Sequence, residues 1–248
     1  MNIAIIACHV FNRELSNLCA NAKNKTRVFW LEQGLHDTPQ FLRSTIQCTI
    51  DEIERYNRSL DLSRAYRAFD VIVLAYGLCG GGTVGLRSAD LPLVIPRCDD
   101  CIALFLGSQS RYLAEFHSRQ GVFWYNQGWI ESSFTPSKES LAQRRLQFVE
   151  MYGEENADYL MEQENLWVGQ YRQGVYIASP VFPNESYEVY TREAADYFGW
   201  MYDRLAGDNQ LLSALVDGQW DESLFLYCPP HSVTEAAYDG SILSSAKI

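Results

Sequence analysis

Four short apolar runs constrain this chain more than anything else in it. Residues 2–7 (NIAIIA), 26–31 (TRVFWL), 69–75 (FDVIVLA) and 92–95 (PLVI) are each too short for a buried helix. The run at 69–75 is continuous enough to be covered on both faces, as strands of a parallel sheet are. Helical periodicity follows the first run through 12–21, and after the loop 33–39 Thr38 and Pro39 open a helix as cap and first-turn proline that reaches about residue 60. Strands alternating with helices predict an α/β fold: a mostly parallel, Rossmann-like sheet flanked by helices.

The second half continues the pattern with a longer helical interval. Residues 121–125 (GVFWY) and 175–179 (VYIAS) predict strands, and 137–173 predicts two helices broken near Gly153, a helical cover inserted into the second half. Thr191 is expected to cap a helix through 203, a shorter helix holds 211–216, and 224–227 is expected to be the last strand. The final dozen residues are small and polar, which predicts a frayed tail. No internal repeat is present, and 248 residues are read as a single α/β domain, 1–248.

Charge narrows the partners. A net charge of -11 repels nucleic acid and anionic lipid alike, and no basic patch offsets it. The first apolar run falls far short of the roughly 20 residues that cross a bilayer, so no membrane partner is expected. Seven cysteines, an odd number with no secreted spacing and no signal peptide before them, read as reduced thiols in a cytoplasmic protein. Six Trp and fifteen Tyr are compatible with a homo-oligomer contact or with a flat ligand.

In a parallel α/β sheet, ligands bind beyond the carboxyl ends of the strands. Cys8 follows the first strand, Cys79 the third, and Cys98 and Cys101 the fourth, so all four cysteines fall in the loops that this architecture brings together. Thiolates form beside metals and at helix N-termini, and three or four of them suit zinc, with three plus an open position marking a catalytic site. The same set suits an iron-sulfur cluster. Cys98 and Cys101 form a C-x-x-C pair that a redox dithiol also uses, and a free Cys is as often a small buried hydrophobe.

Around Cys79 the segment YGLCGGGTVG carries consecutive glycines, Gly80, Gly81 and Gly82, followed by Thr83; it is read either as an anion-binding nest or as a tight strand-to-helix turn. His36, in the loop after the second strand, is read as a fourth metal ligand or an acid/base group, against the structural role that a lone His more often has. Glu14 lies in the first helix, where a Glu ordinarily faces solvent. His9 alternates in direction with Cys8 and should point elsewhere. Cys228 follows a strand but is discounted, since Cys19 and Cys48, on apparent apolar helix faces, show cysteine used as filler.

The motifs IIACHVFNREL (5–15), AYGLCGGGTVGLR (75–87), IPRCDDCIALFLGS (95–108) and GVFWYNQGWIE (121–131) resemble the family called domain of unknown function 1638. The resemblance runs through Cys8, Glu14, Tyr76, Gly77, Cys79, Gly80, Cys101, Gly107 and Ser108, and is loose after residue 131. It implies Cys8, Cys79 and Cys101 as the motif cysteines, with Cys98 outside that set. Glu14 and His36 are then the acid/base candidates, and Tyr76, Gly80, Gly81, Gly82, Thr83 and Ser108 the cofactor-binding ones. Members of this kind are encoded beside corrinoid-dependent methyltransferases, corrinoid proteins and folate enzymes. The resemblance carries no settled activity; its association points to methyl (one-carbon) metabolism, and together with the strand-end cysteines the expectation is a metal-dependent enzyme or accessory protein there, holding zinc or, alternatively, an iron-sulfur cluster. Its ligand would be a small molecule or a corrinoid. The other reading is a non-catalytic module that docks on a corrinoid protein or a methyltransferase.

Overall fold

The computed structural model describes residues 1–60 and 68–248. In chain order the elements are β1 (Asn2–Cys8), α1 (Asn12–Asn21), β2 (Lys25–Leu31), α2 (Pro39–Ser59), β3 (Val71–Ala75), β4 (Arg87–Ser88), β5 (Leu93–Pro96), α3 (Cys101–Leu106) and α4 (Gln109–Ser118). They continue with β6 (Val122–Tyr125), α5 (Gln127–Ser132), α6 (Lys138–Tyr152), α7 (Glu154–Val168), β7 (Gln173–Ala178), α8 (Glu185–Phe198), β8 (Met201–Ala206), α9 (Gln210–Asp217), β9 (Phe225–Cys228), β10 (Ser232–Ala236) and β11 (Leu243–Lys247). The architecture is α/β, as the alternating runs require. The chain divides into two compact units, Met1–Tyr112 together with Asp208–Ile248, and Leu113–Gly207.

The first unit is built on a five-stranded sheet in the order β2-β1-β3-β5-β9. Its first four strands are mutually parallel, and β9 closes the edge antiparallel to β5. Strands β3 and β5 are buried along their whole length and β1 along all but its first residue, which is why they read as unbroken apolar runs, whereas the edge strand β2 alternates in exposure at its start. Helix α2 turns Leu42, Ile46, Ile50 and Ile53 inward and packs on β1, and α9 packs against α1, α3 and β3. Thr38 holds the extended conformation of a cap but lends no side-chain hydrogen bond, so Pro39 alone supplies the start signal that the sequence shows.

Chain order and spatial order diverge at β1. The chain moves from β1 to β2 on one side, then crosses to β3 on the other. The crevice beyond the carboxyl ends of β1 and β3 is therefore the topological switch point of the sheet, where an open α/β sheet leaves room for a ligand.

The second unit carries a smaller, wholly parallel sheet, β6-β7-β8. Tyr125, Tyr176, Val168, Ala194, Ala195 and Trp200 form its core, with Phe123, Trp167 and Tyr171 packed around them. The aromatic richness of the sequence is concentrated here. Helices α6 and α7 meet at Gly153, whose φ of 80° supplies the break foreseen between residues 137 and 173.

Four expectations are corrected. Thr191 does not cap a helix: α8 begins after Asn184, whose side chain accepts from the Ser186 amide, while Thr191 is buried in mid-helix and donates to Tyr187 O. The helix stops at Gly199, and the segment expected to continue it as far as residue 203 enters strand β8. The tail is not frayed, because Leu243–Lys247 pairs antiparallel with β10, which in turn pairs with β4 in a second sheet of the first unit. Cys48 is exposed rather than on an apolar face. No helix among the described residues is long and apolar enough to cross a membrane.

Candidate functional site

The parallel register sets Ala7 beside Ala75, so the next residues, Cys8 and Tyr76, leave neighbouring strands side by side. Cys8 ends β1 and precedes a single 3₁₀ turn, His9–Phe11; the amides of Val10 and His9 reach back to its sulfur. His9 faces solvent and packs edge-on against Trp30.

The loops after β3 and β5 are stapled to each other by backbone. Leu78 N–H donates to Cys98 O at 2.7 Å and Cys79 N–H to Asp99 O at 2.9 Å. The contact is so close that a Cβ on Gly77 would stand 2.9 Å from both Cys98 O and Asp100 N, which explains the glycine there without any appeal to φ. Cys79 then takes φ of 47°, followed by Gly80 at 66° and Gly81 at 91°. A left-handed run of this kind suits glycine, and holding a β-carbon in it costs about 1–2 kcal/mol. Retaining cysteine at such a position points to use of the thiol. Its sulfur accepts from the amides of Gly77 and Cys101, the second of which belongs to the first residue of α3. Helix α3 is capped by Asp100, whose carboxylate accepts from Ile102 N at 2.9 Å. Asp99 is held in turn by Gln109, which exchanges two hydrogen bonds with it.

Three strand ends thus deliver Cys8, Cys79 and Cys101 to one neighbourhood, and their electrostatics shows it. Burial pushes Cys79 up to about 12, assisted by the Asp100 carboxylate and by Cys8. Cys101 rises well above the ordinary thiol value through burial, then Asp100, Cys79 and Cys8. Cys98, fully buried, rises through burial and then Cys79, Asp100 and Asp99. Cys8 rises through burial. At neutral pH the four are neutral thiols. Ionising several of them together is unfavourable without a cation between them, since no basic side chain of the described residues is among the groups that act on them. Tyr76 sits within the same field, 4% exposed, and is raised by burial and then by Cys8, Cys79 and Cys101; its hydroxyl has no hydrogen-bond partner among the described residues.

Placement of the remaining candidates is as follows. Thr83 is fully buried and donates to Gly77 O. The amides of Gly81 and Gly82 bond to Leu78 O and Cys79 O within their own turn, and Gly80 and Gly82 lie against Pro39 and Leu42 of α2. Ser108 starts α4, accepting from Arg111 N and pairing with the Ser110 hydroxyl. His36 is about half exposed and 3.5 Å from Asp37. Glu14, where solvent exposure was expected, is buried at 3% exposure in the first turn of α1. Cys228 lies beside Leu93, at the opposite end of the strands from Cys98, because β9 runs antiparallel to β5. The charge that sequence reasoning passed over is Asp100; its place immediately before a helical run was the available signal.

The donor set is soft, buried and anion-poor until ionised, which fits a thiophilic ion such as zinc or iron. As the side chains stand, no group of three or more His, Cys, Asp or Glu among the described residues is arranged to hold a metal ion.

A family model described as Protein of unknown function (DUF1638) matches residues 30–216, a span that includes Tyr76, Cys79, Cys98 and Cys101. No curated protein and no solved structure matches the chain.

Proposed function

The chain belongs to the DUF1638 family, and on that footing we propose that it is a metal-binding protein whose ion, zinc in the first instance, is held by the thiolates of Cys8, Cys79 and Cys101. The observation that carries the reading is the convergence of three cysteines from β1, β3 and β5 at the switch point, with one of them kept in a left-handed conformation that glycine would occupy more cheaply. Three protein ligands leave a tetrahedral ion one open position, the arrangement of a catalytic rather than a closed structural site. When bound, the ion supplies Lewis acidity and lowers the pKa of whatever occupies that position. Cys98 is the nearest reserve donor, since its thiol feels Cys79 directly. The setting we propose, resting on the resemblance, is corrinoid- or folate-linked methyl metabolism, with the protein as an enzyme or an accessory to one.

Metal analysis of protein purified without air tests this. One zinc per chain, colourless, lost on replacing Cys8, Cys79 or Cys101 by Ser and retained on replacing Cys228, is the expected result. A brown protein with iron and acid-labile sulfide assigns the same ligands to a cluster instead. Reduced protein that takes up neither metal, or binding unaltered in all three variants, overturns the proposal.

A further inference from the structure

The glycine-rich turn after β3 is flanked by α2 as well as by the thiols, and α2 sets a cation on it. Residues 80–85 run along the helix: Gly80 lies against Pro39, Gly82 against Leu42, and Gly85 against Cδ, Nε and Cζ of Arg43. Arg43 is partly buried and donates from Nη2 to Gly81 O at 3.3 Å, a long bond for its kind. Its Nε is buried without an acceptor, and no Asp or Glu among the described residues pairs with it. The helix offers no acid either, since the positions three and four residues away are Pro39, Gln40, Ile46 and Gln47. Gln47 is itself engaged with Asp51 and with the backbone of Arg87. A guanidinium has five N–H donors and does not shed its charge, so one that is partly buried on a single long bond is costly to keep. The side chain is thus equipped for an anion that the described chain does not itself supply.

The turn supplies what such an anion needs. Gly81, at φ of 91°, has nothing within 4 Å of the place a β-carbon would occupy, so the backbone next to the guanidinium is open. The Gly80 amide donates to no carbonyl among the described residues, whereas those of Gly81, Gly82 and Gly85 are taken by Leu78 O, Cys79 O and Thr234 O. We infer that Arg43 and the Gly80 amide bind the oxyanion of a small ligand, a phosphate or a carboxylate group. The planar fork of a guanidinium matches both groups, and either keeps a lone pair for a backbone N–H. This site does not depend on a metal ion. Gly80 follows Cys79 directly, so an oxyanion held there anchors its ligand beside the thiol turn.

Isothermal titration calorimetry tests this with inorganic phosphate in one arm and sodium acetate in the other. Ionic strength is held constant, and the protein is first passed over a chelating resin so that no metal ion mediates the contact. The expected result is saturable binding of one anion per chain, tighter phosphate marking a phosphoryl ligand and tighter acetate a carboxylate. Arg43→Gln should weaken it by about tenfold or more, and Arg43→Lys, which keeps the charge but loses the fork, by a few-fold. Arg87→Gln, at an exposed arginine nearby, should leave it unchanged. Saturable heat from neither anion, or equal affinity in Arg43→Gln and the parent, overturns the inference and leaves the metal reading untouched. Circular dichroism verifies the fold of each variant; should Arg43→Gln not fold, Arg43→Lys decides, and an affinity equal to the parent's would sink the inference.

Discussion

The start of β5, the strand that carries Cys98 and Cys101 at its far end, is held by one buried carboxylate. Glu54, 3% exposed on α2, accepts from the Ser88 hydroxyl, from Asp90 N at 2.7 Å and from Leu91 N at 3.2 Å. Bonds to an ionised acceptor contribute about 1.5–3 kcal/mol each. Leu91 N–H keeps a second acceptor in Ser88 Oγ at 3.2 Å, and the Ser88 hydroxyl can turn, so the three bonds should not be summed in full. Glu54→Ala is expected to destabilise the first unit by about 3–4 kcal/mol, and Glu54→Gln, which keeps an acceptor but not the charge, by about 1–2 kcal/mol. Burial alone would raise the pKa of Glu54; the bonds from Ser88 and from the amides of Asp90, Leu91 and Ala89 outweigh it and lower the value below its ordinary 4.5. A lowered folded value means a contribution fully present above about 4.5 and lost as the pH falls through the folded pKa. Urea unfolding followed by circular dichroism, at several pH values from neutral to acid, checks both parts. A Glu54→Ala protein within about 1 kcal/mol of the parent at neutral pH, or a gap between parent and Glu54→Gln that persists unchanged in acid, would refute the reasoning.

Other outcomes follow from the same geometry. Gly77→Ala should destabilise by about 1–3 kcal/mol because its new methyl meets the backbone of Cys98 and Asp100, and Gly82→Ala, although its φ of -64° suits alanine, should cost a comparable amount because its methyl runs into the buried Leu42 side chain and stands 3.3 Å from Cys79 O; urea midpoints check both. Cys79→Gly relieves the left-handed strain and gives up a buried thiol, so stability should change by less than about 1 kcal/mol while zinc uptake, measured by competition with a chromophoric chelator, is abolished. Because burial keeps Cys8, Cys79 and Cys101 protonated, with Asp100 and neighbouring thiols adding to it at Cys79 and Cys101, zinc binding through them must release protons, and affinity should climb as pH rises; calorimetry in buffers of different ionisation enthalpy would detect a proton count of zero if the cysteines are not the ligands.

What the sequence makes legible is whatever a single face or a single loop decides. The run at 69–75 announces β3 because both of its faces are covered, and Gly153 announces the break between α6 and α7 because a φ of 80° leaves little choice. Strands β10 and β11 escape because SVTEA and LSSAK are half-buried edge segments whose stability comes from pairing with each other and with β4, a long-range event that leaves no apolar run. Strand β8, MYDRLA, is exposed at four of six positions and reads as the end of a helix for the same reason. At the site, strand-end logic places Cys8, Cys79 and Cys101 together, but it cannot weigh Asp100 or foresee the burial of Glu14, since both depend on what packs over the loop from elsewhere in the chain.

The antiparallel partner of β5 comes from residues 225–228, more than a hundred positions downstream, so the sheet that frames the cysteines gains its full complement of neighbours only near the end of the chain. On a ribosome, residues 113–207 form a contiguous stretch able to settle while the opening segment still has an uncovered edge. A metal supplied during synthesis would meet Cys8, Cys79 and Cys101 before β9 exists, and the order of loading and closure becomes a property of the gene's reading direction.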